Sequence, residues 1–202
     1  MRILMLTSDA HGTLGGISQY NIDLLEAMNA LDSVASVEVC PVNVRWPVGT
    51  LPAKVSYDLK GTRGKFAYLL RALWRAMAGP PCDLVWCGHI NLLGPAWLVA
   101  KLRRAPLVLA VYGIDAWQPT KRPVADWLAS RADLVVSISE VTLERFRSWS
   151  PVPADRVAIL PNAITLADYG IGPRSEDLVK KFDLEGRRVL MTFGRLVGRD
   201  RA

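Results

Sequence analysis

The chain has 202 residues, half of them hydrophobic, with 25 Lys and Arg against 19 Asp and Glu and a net charge of +6. This length holds one large domain with a full core, or one domain and the start of another, and the composition excludes a disordered chain. The basic balance suits an anionic ligand or surface, whether nucleotide, phosphate or acidic lipid, although ordinary solubility charge has the same sign.

The three cysteines, Cys40, Cys82 and Cys87, lack C-x-x-C spacing, and there are two histidines. Neither a zinc site nor a disulfide framework is expected, and a reduced cytoplasmic compartment fits. Arg2 leads straight into a strand pattern without the apolar run of a signal peptide. No stretch approaches the roughly 18 apolar residues of a membrane span.

Ile3 to Thr7 reads as a strand buried on both faces. Leu14-Gly15-Gly16-Ile17-Ser18-Gln19-Tyr20 follows it, a glycine pair at a strand-to-helix junction. Glycine lets backbone amides approach a ligand, and the free N–H groups of the next helix make a ready anion site. A purely structural turn is the competing reading. Ile17, Tyr20, Leu24, Leu25, Met28 and Leu31 recur at helical spacing over 17–31. Val37 to Val42 reads as a strand, and 45–61 as a loop with one short strand near Val55. A second helix runs from Arg63 to Ala78, stopped by Gly79-Pro80-Pro81. Its stripe of Phe66, Leu69, Leu70, Leu73 and Met77 reads either as a core face or, with Arg63, Lys65, Arg71 and Arg75, as a basic amphipathic surface for an anionic membrane.

Asp83 to Trp86 is a strand, Gly94 to Arg104 a helix, and Leu107 to Val111 a strand. After the loop 112–119 come a helix near 124–130 and a strand over 134–138. Glu140 to Trp149 is a helix with Ser139 as its N-cap. Val157 to Leu160 is a short strand, Ser175 to Phe182 a short helix, and Arg187 to Phe193 the start of a new strand. This alternation predicts an α/β, Rossmann-like, doubly wound and mostly parallel sheet. Ligands of such sheets bind beyond the carboxyl ends of the strands. The loops that converge there carry Gly15, Gly16, His89, Tyr112 to Asp115, Ser139, Glu140 and Asn162. G-x-G-x-x-G is absent after the first strand and no P-loop occurs, which argues against a nucleotide-dependent oxidoreductase. No nucleic-acid module is recognisable.

The segments "GGISQYNIDLLEAM", "CDLVWCGHINLLGP", "PLVLAVYGIDAW", "ADLVVSISEVTLERF", "VAILPNAIT" and "VLMTFGRLVGRDRA" cover nearly the whole chain. In this order they resemble the N-terminal half of retaining GT-B glycosyltransferases of family 4, the group 1 enzymes. The resemblance implies an acceptor-side domain over 1–165, a connector over 166–186 and the start of a donor-binding domain over 187–202. It implies transfer of a hexosyl group from a nucleotide diphosphate sugar to a hydroxyl on a glycan or lipid-linked acceptor, in synthesis of polysaccharide, lipopolysaccharide or glycolipid. No metal or other cofactor is expected, and the 202 residues alone are expected to be inactive. The location implied is cytoplasmic, with peripheral membrane contact.

Gly15, Gly16, Arg195 and Asn162 would lie near the donor diphosphate, and Tyr20, Ser139 and Glu140 near the acceptor. Asp115, His89 and Tyr112 are the candidates for the reacting centre. Many members have His-Gly-x-Asp where this chain has Tyr112-Gly113-Ile114-Asp115, and a tyrosine does not titrate near pH 7. Competing readings stay open at several positions. His89 and Ser139 could be helix caps, Tyr20 a core residue, Asn162 a turn residue, and His11 merely exposed. A stand-alone nucleotide- or sugar-binding domain without catalysis is the alternative for the chain as a whole.

Overall fold

The computed structural model describes residues 1–164, 170 and 172–192. The chain divides into two compact units, Met1–Ala163 and Ile164–Ala202. In the first, the described residues form one seven-stranded sheet in the order β3-β2-β1-β4-β5-β6-β7. The strands are β1 (Arg2–Thr7), β2 (Ser36–Pro41), β3 (Val55–Tyr57), β4 (Leu84–Gly88), β5 (Leu107–Val111), β6 (Leu134–Ser137) and β7 (Val157–Ile159). Every pairing is parallel. The helices of this unit are α1 (Gly16–Ala30), α2 (Lys65–Met77), α3 (Leu93–Arg103), α4 (Pro123–Ala129) and α5 (Glu140–Arg147).

Alternate residues of each strand face opposite sides, so a doubly covered sheet needs apolar residues at every position. Leu4 and Leu6 of β1 enter a core with Cys87, Leu109, Tyr68 and Ala72 of α2, and Leu93 and Ala96 of α3. Ile3 and Met5 enter the opposite core with Val37, Val39, and Leu24, Leu25 and Met28 of α1. The sheet order reverses between β1 and β4. At the carboxyl end the Thr7 side chain packs against the Gly88 backbone, where a Cβ on Gly88 would sit 2.8 Å from the Thr7 hydroxyl. Glycine at that position lets the two strands end side by side, and the loops after them diverge to opposite faces.

The expected doubly wound sheet is present, and two readings change. Helix α2 buries Tyr68, Ala72, Arg75 and Ala76 rather than its apolar stripe. Phe66 is 85% exposed, Leu70 68% and Met77 70%, with Leu69, Leu73 and Trp74 also exposed. Arg71 and Arg75 therefore do not form a solvated basic face. Arg75 is buried and pairs with Glu38 of β2 at 2.9 Å, while Arg71 pairs with Asp58 and stacks on Trp74. The inner face of α2 carries charge because β2 and the segment before α2 offer carboxylates there. The same two arginines fill the space beside Glu38, Cys40 and Asp58, a group with metal-ligand chemistry, so the carboxylates have their counter-charge already.

The second unit holds α6 (Glu176–Lys181), capped by the Ser175 hydroxyl, which accepts from Leu178 N. The strand expected over 187–193 does not form over its described part, 187–192. Leu190 is fully exposed, and a strand without a hydrogen-bonding neighbour has nothing to hold its backbone groups.

Candidate functional site

The carboxyl edge gathers the loops after β1, β4 and β5. Ser8 and Asp9 follow β1 directly. Asn21, buried in α1, donates to the Thr7 hydroxyl at 2.9 Å and to the Asp9 carbonyl at 2.7 Å, which fixes the start of this loop. Farther along, the Thr13 and Ser18 hydroxyls lie 2.7 Å apart. Gly15 is the N-cap of α1 with φ of 141°, a conformation that side chains rarely adopt. No side chain caps this terminus and its first turn has no acidic residue, so its amides remain open to an anion.

His89 follows Gly88 and stands between two roles. Its Nδ1 accepts from Asn91 N at 3.1 Å, capping the short 3₁₀ turn Ile90–Leu92 that leads into α3. In the neutral ring this bond leaves the proton on Nε2. His89 also lines a cleft of about 380 Å³ with Ser8, Lys65, Leu69, Asn91 and Arg122. Cap and cleft contact are thus compatible: one nitrogen organises the loop and the other remains a donor. Burial holds His89 below its ordinary value, with Asp115 and Asp9 opposing and Arg122 adding to the shift.

Asp115 moves the other way. Burial raises it, while His89 and the amides of Tyr112, Gly113 and Asp115 favour its charged form. Its Oδ2 is buried with no hydrogen-bond partner among the described residues, as is the Ser8 hydroxyl. A buried carboxylate oxygen without a partner can accept a hydroxyl proton or orient a hydroxyl.

The other expected residues separate by position. Tyr112 is buried, edge-on to Tyr20, and its hydroxyl donates to Asn21 Oδ1 at 2.9 Å. It braces the site from the α1 side. Tyr20 is buried and donates to the Leu160 carbonyl at 3.0 Å, and burial pushes its phenol up to about 12. The core reading of Tyr20 therefore describes its packing, with one edge in a shallow groove beside Pro161 and Ala163. Ser139 caps α5 by accepting from Thr142 N at 3.2 Å, and Glu140 is exposed in the first turn. Gly16 and Asn162 are exposed, Asn162 after β7. His11 is half-buried and packs edge-on against Tyr57. Arg195 lies outside the described residues.

Ser8, Asp9, Asn21, Asn91 and Arg122 did not stand out in the sequence. Ser8 and Asp9 had a usable signal, since polar residues directly after a buried parallel strand sit at the ligand edge. Arg122 had none beyond preceding a proline at a helix start.

The fold is shared with solved glycosyltransferases. HepE of Anabaena in complex with UDP and glucose superposes with a TM-score of 0.63 at 19% identity, over 91% of this chain and 50% of that one. The same protein with UDP-glucose gives a TM-score of 0.62 at 18% identity over 92% and 50%. The lipopolysaccharide outer core galactosyltransferase WaaB, in its apo form, gives 0.57 at 14% identity over 88% and 50%. The chain spans about half the length of each. No curated protein matches it in sequence. Residues 15–163 match the glycosyl transferase 4-like domain, and the chain belongs to that glycosyltransferase family.

Proposed function

We propose that these residues form the acceptor-side domain of a retaining glycosyltransferase that moves a hexosyl group from a nucleotide diphosphate sugar to a hydroxyl. The observation that carries the reading is that His89, at the edge where β1 and β4 diverge, lines a cleft of about 380 Å³ with its Nε2 left as a donor. Asp115, in the loop after β5, is near enough to favour the charged form of His89. HepE binds UDP and glucose on the same fold, which supports a nucleotide-sugar donor. In this reading Asp115 and the Nε2 proton of His89 hold the acceptor hydroxyl. The open amides after Gly15 offset the charge that grows on the leaving diphosphate. The acceptor belongs to cell-surface polysaccharide, lipopolysaccharide or glycolipid synthesis, and no metal is required. The 202 residues alone transfer no sugar.

In a full-length enzyme, His89→Ala and Asp115→Asn should each lower transfer of radiolabelled sugar by about 100-fold. Unchanged turnover in both would move the reaction away from this edge. Transfer by the 202 residues alone would refute their assignment to the acceptor side only.

The reading also has the α2 face resting on an anionic membrane. Six large apolar side chains are exposed on this one helix, and Lys60, Arg63 and Lys65 are exposed at its start. Among the described residues no helix is long and apolar enough to cross a membrane. Sedimentation with anionic vesicles, lost in Phe66→Glu/Leu70→Glu at unchanged Tm, is the expected outcome. Equal sedimentation of the variant would remove α2 from the membrane.

A further inference from the structure

We infer that Trp149 is a positioning residue for Asp115: its indole N–H, bonded to the Ala116 carbonyl, holds the turn that presents this carboxylate. The inference rests on the proposed role of Asp115 at the acceptor hydroxyl and names what aims it.

The loop after β5 is anchored from end to end. Tyr112 at its start is bonded to Asn21 of α1. Thr120 near its end donates to Asp126 Oδ1 of α4 from its amide at 2.8 Å and from its hydroxyl at 2.7 Å. Between them, Trp117 donates from Nε1 to the Thr142 hydroxyl of α5 at 3.3 Å, and the Arg145 guanidinium stacks 4.0 Å from its ring centroid. The side-chain anchor nearest Asp115 in sequence comes from Trp149, just past α5, whose Nε1 donates to the Ala116 carbonyl at 3.0 Å. Ordering a loop so fully costs conformational entropy that these anchors offset. Asp115 Oδ2, in the middle of it, is buried with no partner among the described residues. A loop held this firmly around one open carboxylate oxygen has the form of a preorganised site.

Asp115 sits inside a turn closed by the Ala116 amide, which donates to the Gly113 carbonyl at 2.8 Å, with Gly113 at φ of 144°. Ala116 is fully buried and is held by both of its backbone groups, the N–H by Gly113 and the carbonyl by Trp149. The turn therefore cannot slide without breaking one of these bonds. The amides of Tyr112, Gly113 and Asp115, which favour the charged carboxylate, belong to the same stretch, and His89 acts with them while burial opposes. Releasing the Ala116 carbonyl draws those amides away from the carboxylate. Trp149 is itself fixed. Phe146, fully buried, meets its ring edge-on at 5.1 Å, and the Trp149 amide donates to the Phe146 carbonyl at 3.3 Å. A phenyl ring could fill part of this space but carries no donor for Ala116.

Site-specific replacement of Trp149 by 3-benzothienylalanine keeps the shape of the indole and puts sulfur in place of the N–H, so it removes the bond alone. Trp149→Phe is the genetic counterpart. NMR titration of the Asp115 carboxyl carbon in the 202-residue chain reads the result. In both variants Asp115 should titrate at a higher pH than in the wild type, because its charged form loses amide donors. Trp46→Phe, which alters an exposed indole in the loop after β2, should leave the titration unchanged. A lowered Tm with the Asp115 titration unchanged or moved down would overturn the proposal and leave Trp149 a packing residue. In a full-length enzyme the isostere should lower kcat about tenfold at unchanged donor KM. It should cost nothing further once Asp115→Asn is present, since both changes then act on one group. An equal loss in both backgrounds would also overturn the proposal. The titration needs no substrate, so a full-length enzyme that transfers no sugar refutes the transfer reading and leaves the titration result in place.

Discussion

The phenol of Tyr112, at the end of β5, donates a hydrogen bond of 2.9 Å to Asn21 Oδ1 in α1. Both side chains are buried, and the Asn21 amide continues the connection to Thr7 and Asp9. One amide therefore ties together β1, β5 and α1 just below the candidate site. Tyr112 acts as a brace, because its hydroxyl is already bonded within the protein.

Tyr112→Phe should destabilise the chain by about 1–3 kcal/mol, since it leaves a buried amide oxygen without a donor. Urea unfolding measures this. In a full-length enzyme the same variant should keep its turnover below the unfolding temperature. A large loss of turnover at unchanged stability would return Tyr112 to the reacting centre.

Arg75 is 3% exposed and paired with Glu38, which is 26% exposed. Arg75→Ala should cost toward the low end of the ~3–5 kcal/mol range for breaking a buried pair, because Glu38 keeps some water. Arg75→Met with Glu38→Gln removes both charges and should recover most of that loss. Chemical denaturation of the two variants side by side decides between a lost charge partner and lost packing.

His89 carries a pH dependence whose sign is set by its depressed value. Below its ordinary 6.5 the unfolded chain takes up the proton before the folded chain does. Its contribution to stability is therefore complete above that value and is lost as pH falls through the folded one. Asp115, raised by burial, has the opposite slope: its contribution is present below 3.8 and lost as pH rises through its folded value. His89→Gln keeps an acceptor for Asn91 N and removes the histidine titration. Its Tm should fall less than that of wild type between about pH 7 and pH 5. Parallel profiles would mean that His89 is not held neutral.

Gly15→Ala tests the loop before α1. A side chain there meets no atom within 4 Å, but φ is 141°. The cost is backbone strain alone, on the order of 1–3 kcal/mol. Thermal unfolding should show that loss, while Gly16→Ala, inside the helix at ordinary φ, should be neutral or stabilising. A drop in nucleotide-sugar binding by a full-length enzyme with Gly16→Ala would show that the ligand approaches the backbone there.

The parallel sheet was readable because buried strands such as Ile3 to Leu6 and Leu107 to Val111 must be apolar at every position. Helical repeats of three and four mark the segments between them. The resemblance to group 1 glycosyltransferases pointed to the same architecture, and post-strand position marked His89 and Asp115. Periodicity could not say which face of α2 is buried. Its stripe of Phe66, Leu70 and Met77 has the spacing of a core face, yet Glu38 and Asp58 claim Arg75 and Arg71 for the interior and turn that stripe outward. Those carboxylates lie 37 and 13 residues before the arginines they hold. Partners so distant in sequence leave no local pattern. The same holds for Ser8, Lys65 and Arg122, which share one cleft because three separate loops end at one edge of the sheet. Element type follows from local chemistry and spacing. Which polar groups meet, and which apolar face stays open, follows from the path the chain takes between them.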